Sequence, residues 1–130
     1  IAYAFHSVES YSKVGSFIGN GSETAGPFVH CGFKPAFLLF RRSTETGSWF
    51  MFDNTRGTTY NVSGTNFDNV RDNKLNAESS AAEDADSSWN IDFLSNGFKL
   101  RSPHVYMNGN NLTHIFIAFA ENPFKHSTAH

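Results

Sequence analysis

The stretch Ile91–Ser102, which reads IDFLSNGFKLRS, is the clearest structural signal in this chain of 130 residues. Asn96-Gly97 separates two short runs in which apolar and polar residues alternate, and this dipeptide supplies the positive φ angles that tight hairpin turns favour. Asp92 and Phe93 belong to opposite faces of the first run, because side chains alternate along a strand. The stretch therefore predicts two antiparallel strands joined by a tight turn.

Segments of the same kind recur along the chain, and no stretch shows the periodicity of an amphipathic helix. The composition agrees, because 14 Phe, 4 Tyr, 2 Trp and 10 Gly suit half-buried strands joined by turns. The predicted fold is all-β, an antiparallel β-sandwich or jelly-roll-like domain of about eight strands with little or no helix. Strands are predicted near residues 1–6, 10–18, 27–31, 36–42, 48–53, 88–94, 97–102 and 112–121, with weaker candidates near 58–62 and 65–70.

The segment 71–88, RDNKLNAESSAAEDADSS, differs from the rest because it is polar and holds few large apolar residues. Ser80 followed three residues later by Glu83 is a capping pattern, which predicts a short helical turn. A long surface loop explains the same composition, and long loops often carry contacts to partners. The sequence leaves both interpretations open.

Three predicted strands carry apolar residues on both faces. They read AFLLFRR (36–42), SWFMFD (48–53) and IFIAFA (115–120). A strand in an isolated two-layer sandwich should instead alternate between an apolar inner face and a polar outer face. The outer surface is therefore expected to be covered, either by a neighbouring domain or subunit or by a long loop of the same chain. The sequence favours neither.

The charge and cysteine content narrow the class of partner. The formal net charge is −2 and no basic run exceeds the pair Arg41-Arg42, so a basic face for nucleic acid is not predicted. No apolar run reaches the roughly 18 residues of a membrane span, and membrane insertion is not expected. The one cysteine, Cys31, is interpreted as a small buried hydrophobe.

The sequence offers oxygen ligands for a metal ion. Acidic residues stand beside asparagines in several places, and calcium prefers such oxygen ligands. However, aspartate and asparagine are also the ordinary residues of turns, and no established ligand spacing occurs. No cofactor is predicted, with Ca²⁺ as the alternative. The metal candidates are Asp68, Asp72, Asp84 and Asp86.

Catalysis is not expected. Ser, His and Asp are abundant, but no nucleophile elbow is present, and none of the six histidines has a metal-site spacing. Carboxylate pairs for glycoside hydrolysis are not recognisable without a fold.

Carbohydrate contact is the binding chemistry that the composition suggests. Flat aromatic rings and side-chain amides in Asn- and Gly-rich loops can stack on sugars and hydrogen-bond to their hydroxyls. The same residue types also build sandwich cores, so the signal is diffuse. The candidate ligand-binding residues are Tyr60, Asn61, Asn66, Trp89, Tyr106, Asn108 and Asn110.

Four phrases follow one another in a specific order and spacing: YSKVGSFIGNGS, GPFVHCGFKPAFLLFRRS, DFLSNGFKLRS and IFIAFAENPF. As a set they resemble a domain of unknown function that recurs in predicted virion and tail-fibre proteins of marine tailed bacteriophages. The resemblance covers roughly residues 10–124. It implies a structural or adhesion module at the surface of a phage particle, and it carries over no catalytic residue.

The expected function is therefore non-covalent binding within a virion, in a tail fibre or another surface appendage. The expected partners are other virion subunits or adjacent modules, with a homo-oligomer favoured, and host-surface glycan. Loops near 54–66, 71–88 and 103–111 would make the contacts. The alternatives are a purely structural capsid decoration or assembly protein and, less favoured, a glycan-cleaving enzyme.

The first residues, IAYAFH, resemble IFIAFA near the other end of the chain. One interpretation is that residues 1–9 close an upstream module, with residues 10–124 forming the sandwich and 125–130 a tail. The other is that this segment belongs to the same domain as an edge or inner strand. The first predicts pairing outside the domain, and the second predicts burial beside residues 115–120.

Overall fold

The protein's computed structural model describes residues 2, 4–55, 70–71, 73–85 and 89–122. Antiparallel strands form nearly all of its regular structure. The strands are β1 (Ser12–Ile18), β2 (Phe28–His30), β3 (Pro35–Arg42), β4 (Phe50–Asp53), β5 (Val70–Arg71), β6 (Asn73–Asn76), β7 (Asp84–Ala85), β8 (Ile91–Leu94), β9 (Gly97–Leu100) and β10 (Thr113–Ala120), and one helical turn is α1 (Val105–Asn108).

The strands form two sheets. The larger has the order β1-β10-β3-β4-β6-β7, and the smaller has the order β2-β9-β8-β5. Every pairing within the described residues is antiparallel, and eight of the strands there are three or more residues long. The all-β sandwich prediction is therefore confirmed.

The core lies between the sheets and is mostly phenylalanine. Phe98 of the smaller sheet meets Phe17 and Phe116 of the larger sheet, with ring centroids 5.8 and 5.2 Å apart. Phe40 is fully buried and stacks on Phe52 at 5.9 Å. Rings of this size remove much apolar surface from water, so they hold the two layers together.

The hairpin predicted from IDFLSNGFKLRS forms, but its turn is not the one expected. Leu94 pairs with Gly97, so the connecting residues are Ser95 and Asn96. Neither Asn96 nor Gly97 has a positive φ, so that part of the prediction was wrong. Gly97 is needed for another reason, because a Cβ atom there would lie 2.0 Å from the carbonyl oxygen of Val29. The glycine allows β2 to approach β9.

The segment 71–88 is neither the helical turn nor the simple loop that its composition suggested. Residues Asn73–Asn76 form β6 and Asp84–Ala85 form β7. Leu75 pairs with Met51 of β4, so hydrogen bonding along the edge of the larger sheet overrides the weak local preference. Residues 72 and 86–88 lie outside the described residues, as does the weaker strand candidate at 58–62.

The segment before β1 forms no strand in its described residues, 2 and 4–7. Its side chains are exposed, and Phe5 is 56% exposed, so they do not lie in the core beside residues 115–120. The division into 1–9, 10–124 and 125–130 stays a prediction, and residues 123–130 lie outside the described residues.

The helical turn α1 was not predicted. His104 caps it, because its Nδ1 accepts a hydrogen bond from Tyr106 N at 3.2 Å.

In the described part of the chain, no helix has the length and apolar character needed to cross a membrane.

Candidate functional site

The outer face of the larger sheet carries an apolar row. Val14 lies opposite Ile117, Ile117 opposite Leu39, Leu39 opposite Met51, and Met51 opposite Leu75. All five side chains are half-buried. We call these residues the outer apolar row; it crosses five neighbouring strands on the side away from the core.

Further apolar side chains flank this row, among polar residues such as Arg41 and Asp53. Ile115 is 39% exposed on one side, and on the other side Phe37 and Phe119 contact each other at 6.2 Å. The outer face of a solvated antiparallel sheet is normally polar. The described residues thus leave open an apolar surface of the kind that marks a contact site.

A second candidate site is a line of three rings, which we call the aromatic ledge. Its members are Trp89, His104 and Tyr106. His104 lies 4.5 Å from Trp89 and 5.2 Å from Tyr106 between ring centroids. Phe50 of β4 contacts both outer rings, at 5.5 and 6.4 Å, so the core supports the ledge from below.

Two buried cations hold the rings of the ledge. Lys74 Nζ lies 4.4 Å from the centroid of Trp89, and the Arg42 guanidinium lies 4.6 Å from that of Tyr106. Arg42 also pairs with Glu45 at 2.9 Å. Cation–π contacts are stronger away from water, so these cations fix the rings in place. Tyr106 nevertheless remains 39% exposed.

The structure brings together some of the predicted ligand-binding residues. Trp89 and Tyr106 meet through His104, and Asn110 is exposed in the turn after α1. The candidates Tyr60, Asn61 and Asn66 lie outside the described residues.

Asn108 is not placed to contact a ligand, which corrects its selection as a site residue. Its side chain is fully buried. Its Nδ2 donates to Asn20 Oδ1, Ser22 O and Ser102 O at 3.1, 3.0 and 3.0 Å, and its Oδ1 accepts from Asn20 N at 2.9 Å. The amide therefore joins the loop after β1 to the segment after β9. Asn108 was selected because its neighbours in sequence are typical of an exposed loop.

Metal binding gains no support from the described residues. They contain no group of three or more His, Cys, Asp or Glu side chains that could hold an ion. Asp68, Asp72 and Asp86 lie outside them, and for Asp84 the structure describes only its place in β7.

Cys31 is buried and free, as its apolar neighbours in sequence predicted. Burial raises the pKa of its thiol to about 12, so the thiol stays protonated near neutral pH. It lines a cleft of about 390 Å³ together with Ser7, Lys13 and His30 among others. A protonated thiol is a poor nucleophile, so Cys31 is not suited to nucleophilic chemistry near neutral pH.

A buried histidine beside the ledge escaped the sequence analysis. His114 of β10 is fully buried and stacks on Phe17 at 4.9 Å. Its Nδ1–H donates to Leu112 O at 3.1 Å, and it lies opposite Arg42 of β3. Alternation in THIFIAFA could have revealed it, because His114 shares a face with Phe116.

Acid should destabilise the protein through His114. Burial lowers its pKa from the usual 6.5, so below that pH the unfolded chain binds more protons than the folded chain. The free energy of unfolding should therefore fall as pH drops below about 6.5, with a slope approaching about 1.4 kcal/mol per pH unit. Urea unfolding between about pH 5 and 8, the range in which histidine titrates, would measure this slope. In His114→Gln the slope should become shallower, and an unchanged slope would assign the effect elsewhere.

The fold and these surfaces define a small all-β sandwich domain with two surfaces suited to non-covalent contact. A family model described as a domain of unknown function, DUF7483, matches residues 1–123, so the chain belongs to that family. No curated protein and no solved structure matches the chain.

Proposed function

We propose that this domain is a structural and adhesion module of a phage virion, in a tail fibre or another surface appendage, and that it joins copies of itself non-covalently. The outer apolar row is the observation that carries the proposal. Five aligned, half-buried apolar side chains on the outside of a sandwich need a cover, which a second subunit supplies. The virion setting rests on the resemblance of the four sequence phrases.

The small binding free energy that the outer apolar row can supply favours an assembly with many repeated contacts. Covering the row gains about 1 kcal/mol for each side chain, or roughly 5 kcal/mol in all. Association itself costs about 4 to 15 kcal/mol, so the row alone gives weak binding. Many linked contacts in one particle would raise the effective affinity, as multivalency requires.

The test places a charge within the row. With several copies of the domain fused to one oligomeric carrier, which supplies the linked contacts, the wild-type carrier should self-associate in sedimentation analysis, and Leu39→Lys should weaken this association at least about tenfold, since an ammonium group would be desolvated. Leu94→Lys is the matched control, because Leu94 is also half-buried and faces outward, but on the smaller sheet. A wild-type carrier that stays unassociated, or equal effects of both substitutions, would argue against self-association through this face.

A second candidate function is binding of a host-surface glycan at the aromatic ledge. It is supported by the line of Trp89, His104 and Tyr106, whose rings are held by the core and by buried cations. Rigid aromatic rings stack on the apolar faces of sugars at little entropic cost.

A glycan array with the isolated protein tests this candidate. If a ligand is found, Tyr106→Ala should reduce binding about fivefold, because stacking on an aromatic ring contributes on the order of 1 kcal/mol. Tyr11→Ala is the control, since both tyrosines are 39% exposed. Absence of glycan binding would favour a purely structural capsid decoration or assembly role. Shortening of host polysaccharide by the protein would instead revive the enzyme alternative, which we do not propose.

A further inference from the structure

One end of the sandwich holds a cleft between β1 and β2, which are edge strands of the two sheets. Its volume is about 390 Å³, which falls within the roughly 300 to 1,000 Å³ of small-molecule sites. The turn before β1 contributes Glu9 and Ser10, β1 contributes Lys13, and β2 and the loop after it contribute His30 and Gly32. Polar and charged side chains from both sheets thus converge on one space.

The backbone around the cleft is held in place. Ser10 and Gly32 have φ angles of 61° and 81°, in the left-handed region. The turn at Ser10 is closed by two hydrogen bonds, from Val8 N to Ser12 O at 3.0 Å and from Ser12 N to Val8 O at 2.9 Å. Among the described residues, a Cβ atom at Gly32 would meet only His30 Cε1, at 3.9 Å, so the space beside the glycine is open. A preformed cleft of this kind binds a small molecule at a low cost in conformational entropy.

Lys13 is the charged residue on the inner side of this cleft. It lies opposite Ala118 of β10, which is fully buried, so its side chain leaves β1 on the face of the sheet that carries the core. Burial raises the pKa of the Cys31 thiol to about 12, and the positive charge of Lys13 acts against this rise, so the ammonium group lies near the thiol. Lys13 is itself half-buried, and it therefore loses part of its hydration.

Lys13 has no partner of opposite charge in the part of the chain that the structure describes. None of the ion pairs there includes Lys13 or Glu9, and no hydrogen bond there involves the side chain of either residue. Partial burial of an ammonium group without a partner costs free energy, and an anion bound beside it would offset that cost. The cleft is therefore suited to a ligand that carries a negative charge.

We propose that this cleft binds a sugar acid, a small molecule that carries one carboxylate and several hydroxyl groups. Lys13 donates a charge-assisted hydrogen bond to the carboxylate. Glu9 and Ser10 accept hydrogen bonds from the hydroxyl groups, because a carboxylate and a serine oxygen are both acceptors.

The charges of the cleft distinguish this ligand from simpler ones. A neutral sugar leaves the Lys13 ammonium group without a counter-charge. A simple anion such as acetate pairs with Lys13 but brings no hydrogen-bond donor to Glu9, whose negative charge then repels it. A ligand with both kinds of group satisfies Lys13 and Glu9 together.

This cleft is separate from the outer apolar row and from the aromatic ledge. Lys13 leaves β1 on the core side of the larger sheet, whereas the row lies on the opposite face. Ala118, opposite Lys13, is near the end of β10, while His114 beside the ledge is near its start. The inference therefore does not depend on self-association or on glycan binding at the ledge.

Titration with sodium glucuronate, followed by the amide chemical shifts of the isotope-labelled protein, tests the site. The amides of Lys13, Cys31 and Gly32 should shift in a saturable way. Glucose lacks the carboxylate and acetate lacks the hydroxyl groups, so each should bind at least about tenfold more weakly at the same ionic strength.

Lys13→Met should weaken glucuronate binding at least about tenfold, because methionine keeps an apolar side chain in place but cannot pair with the carboxylate. Lys34→Met is the matched control, since Lys34 lines an adjoining cleft and its ammonium group pairs with Glu121 at 3.4 Å. Its effect on glucuronate binding should stay below about twofold. Glucuronate that shifts none of the cleft amides, glucose or acetate that binds as tightly, or equal effects of the two substitutions would overturn the proposal.

Discussion

Phe40→Ala should lower the free energy of unfolding by about 4 kcal/mol, a large share of the stability of a domain of this size. Phe40 is fully buried, and its ring meets Phe17, Phe50 and Phe52 at 5.9 to 6.0 Å between centroids. The substitution leaves a cavity between the sheets that the surrounding rings fill only in part. Chemical denaturation followed by tryptophan fluorescence measures the change.

Leu39→Ala is the control for this prediction. Leu39 is the neighbour of Phe40 on the same strand but faces outward, so its truncation should cost no more than about 1 kcal/mol in the monomer. Similar losses for both variants would mean that the inner and outer faces of β3 are wrongly assigned. The outer apolar row would then lose its basis.

Gly97→Ala should cost about 3 kcal/mol or more, although alanine adds only one methyl group. That group would lie 2.0 Å from the Val29 carbonyl oxygen and 3.0 Å from the Phe28 ring. Because the nearest atom is backbone, β2 must move away from β9, and the bond from Cys31 N to Asn96 O would be strained as well. Thermal or urea unfolding measures the loss, and faster amide exchange in β2 would locate it.

Gly47→Ala provides the matched substitution. The nearest heavy atom to a Cβ at Gly47 is Arg42 Nε at 3.5 Å, which is an ordinary contact. Its effect should stay within about 1 kcal/mol in either direction. If Gly97→Ala were equally mild, the close approach of β2 and β9 would not be a constraint on the fold.

The two substitutions differ in how much the sequence reveals about them. Phe40 is recognisable as a core residue from its place in an alternating strand, because strand periodicity is local. The hairpin around Gly97 is equally recognisable. The role of the glycine is not, because the atom that excludes a side chain belongs to Val29, which is distant in sequence.

The two candidate surfaces also differ in how much of each the sequence reveals. The apolar residues on both faces of three strands indicated that the outer face of the sheet is unusual, and the structure shows the row that they form. By contrast, Trp89 and Tyr106 were selected separately, and only the fold joins them through His104. No local pattern indicates that the Arg42 cation is buried against the ring of Tyr106.

Asn108 is a residue for which the local sequence led to a wrong prediction. Its neighbours, MNGNN, are typical of an exposed turn, and an exposed amide is a fair candidate for a sugar contact. Its actual partner, Asn20, is 88 positions away, and because Asn108 itself is fully buried, its hydrogen bonds are structural.

The sequence by itself determined the class of fold, most of the strands, the clearest hairpin and which side chains of each strand share a face. These properties follow from periodicity and turn residues, which depend on a few neighbouring positions. The tertiary structure decided the strand order, the need for Gly97, the burial of Asn108 and His114, and the assembly of the aromatic ledge. Those depend on contacts between residues far apart in the chain, and no local pattern encodes which distant atoms will meet.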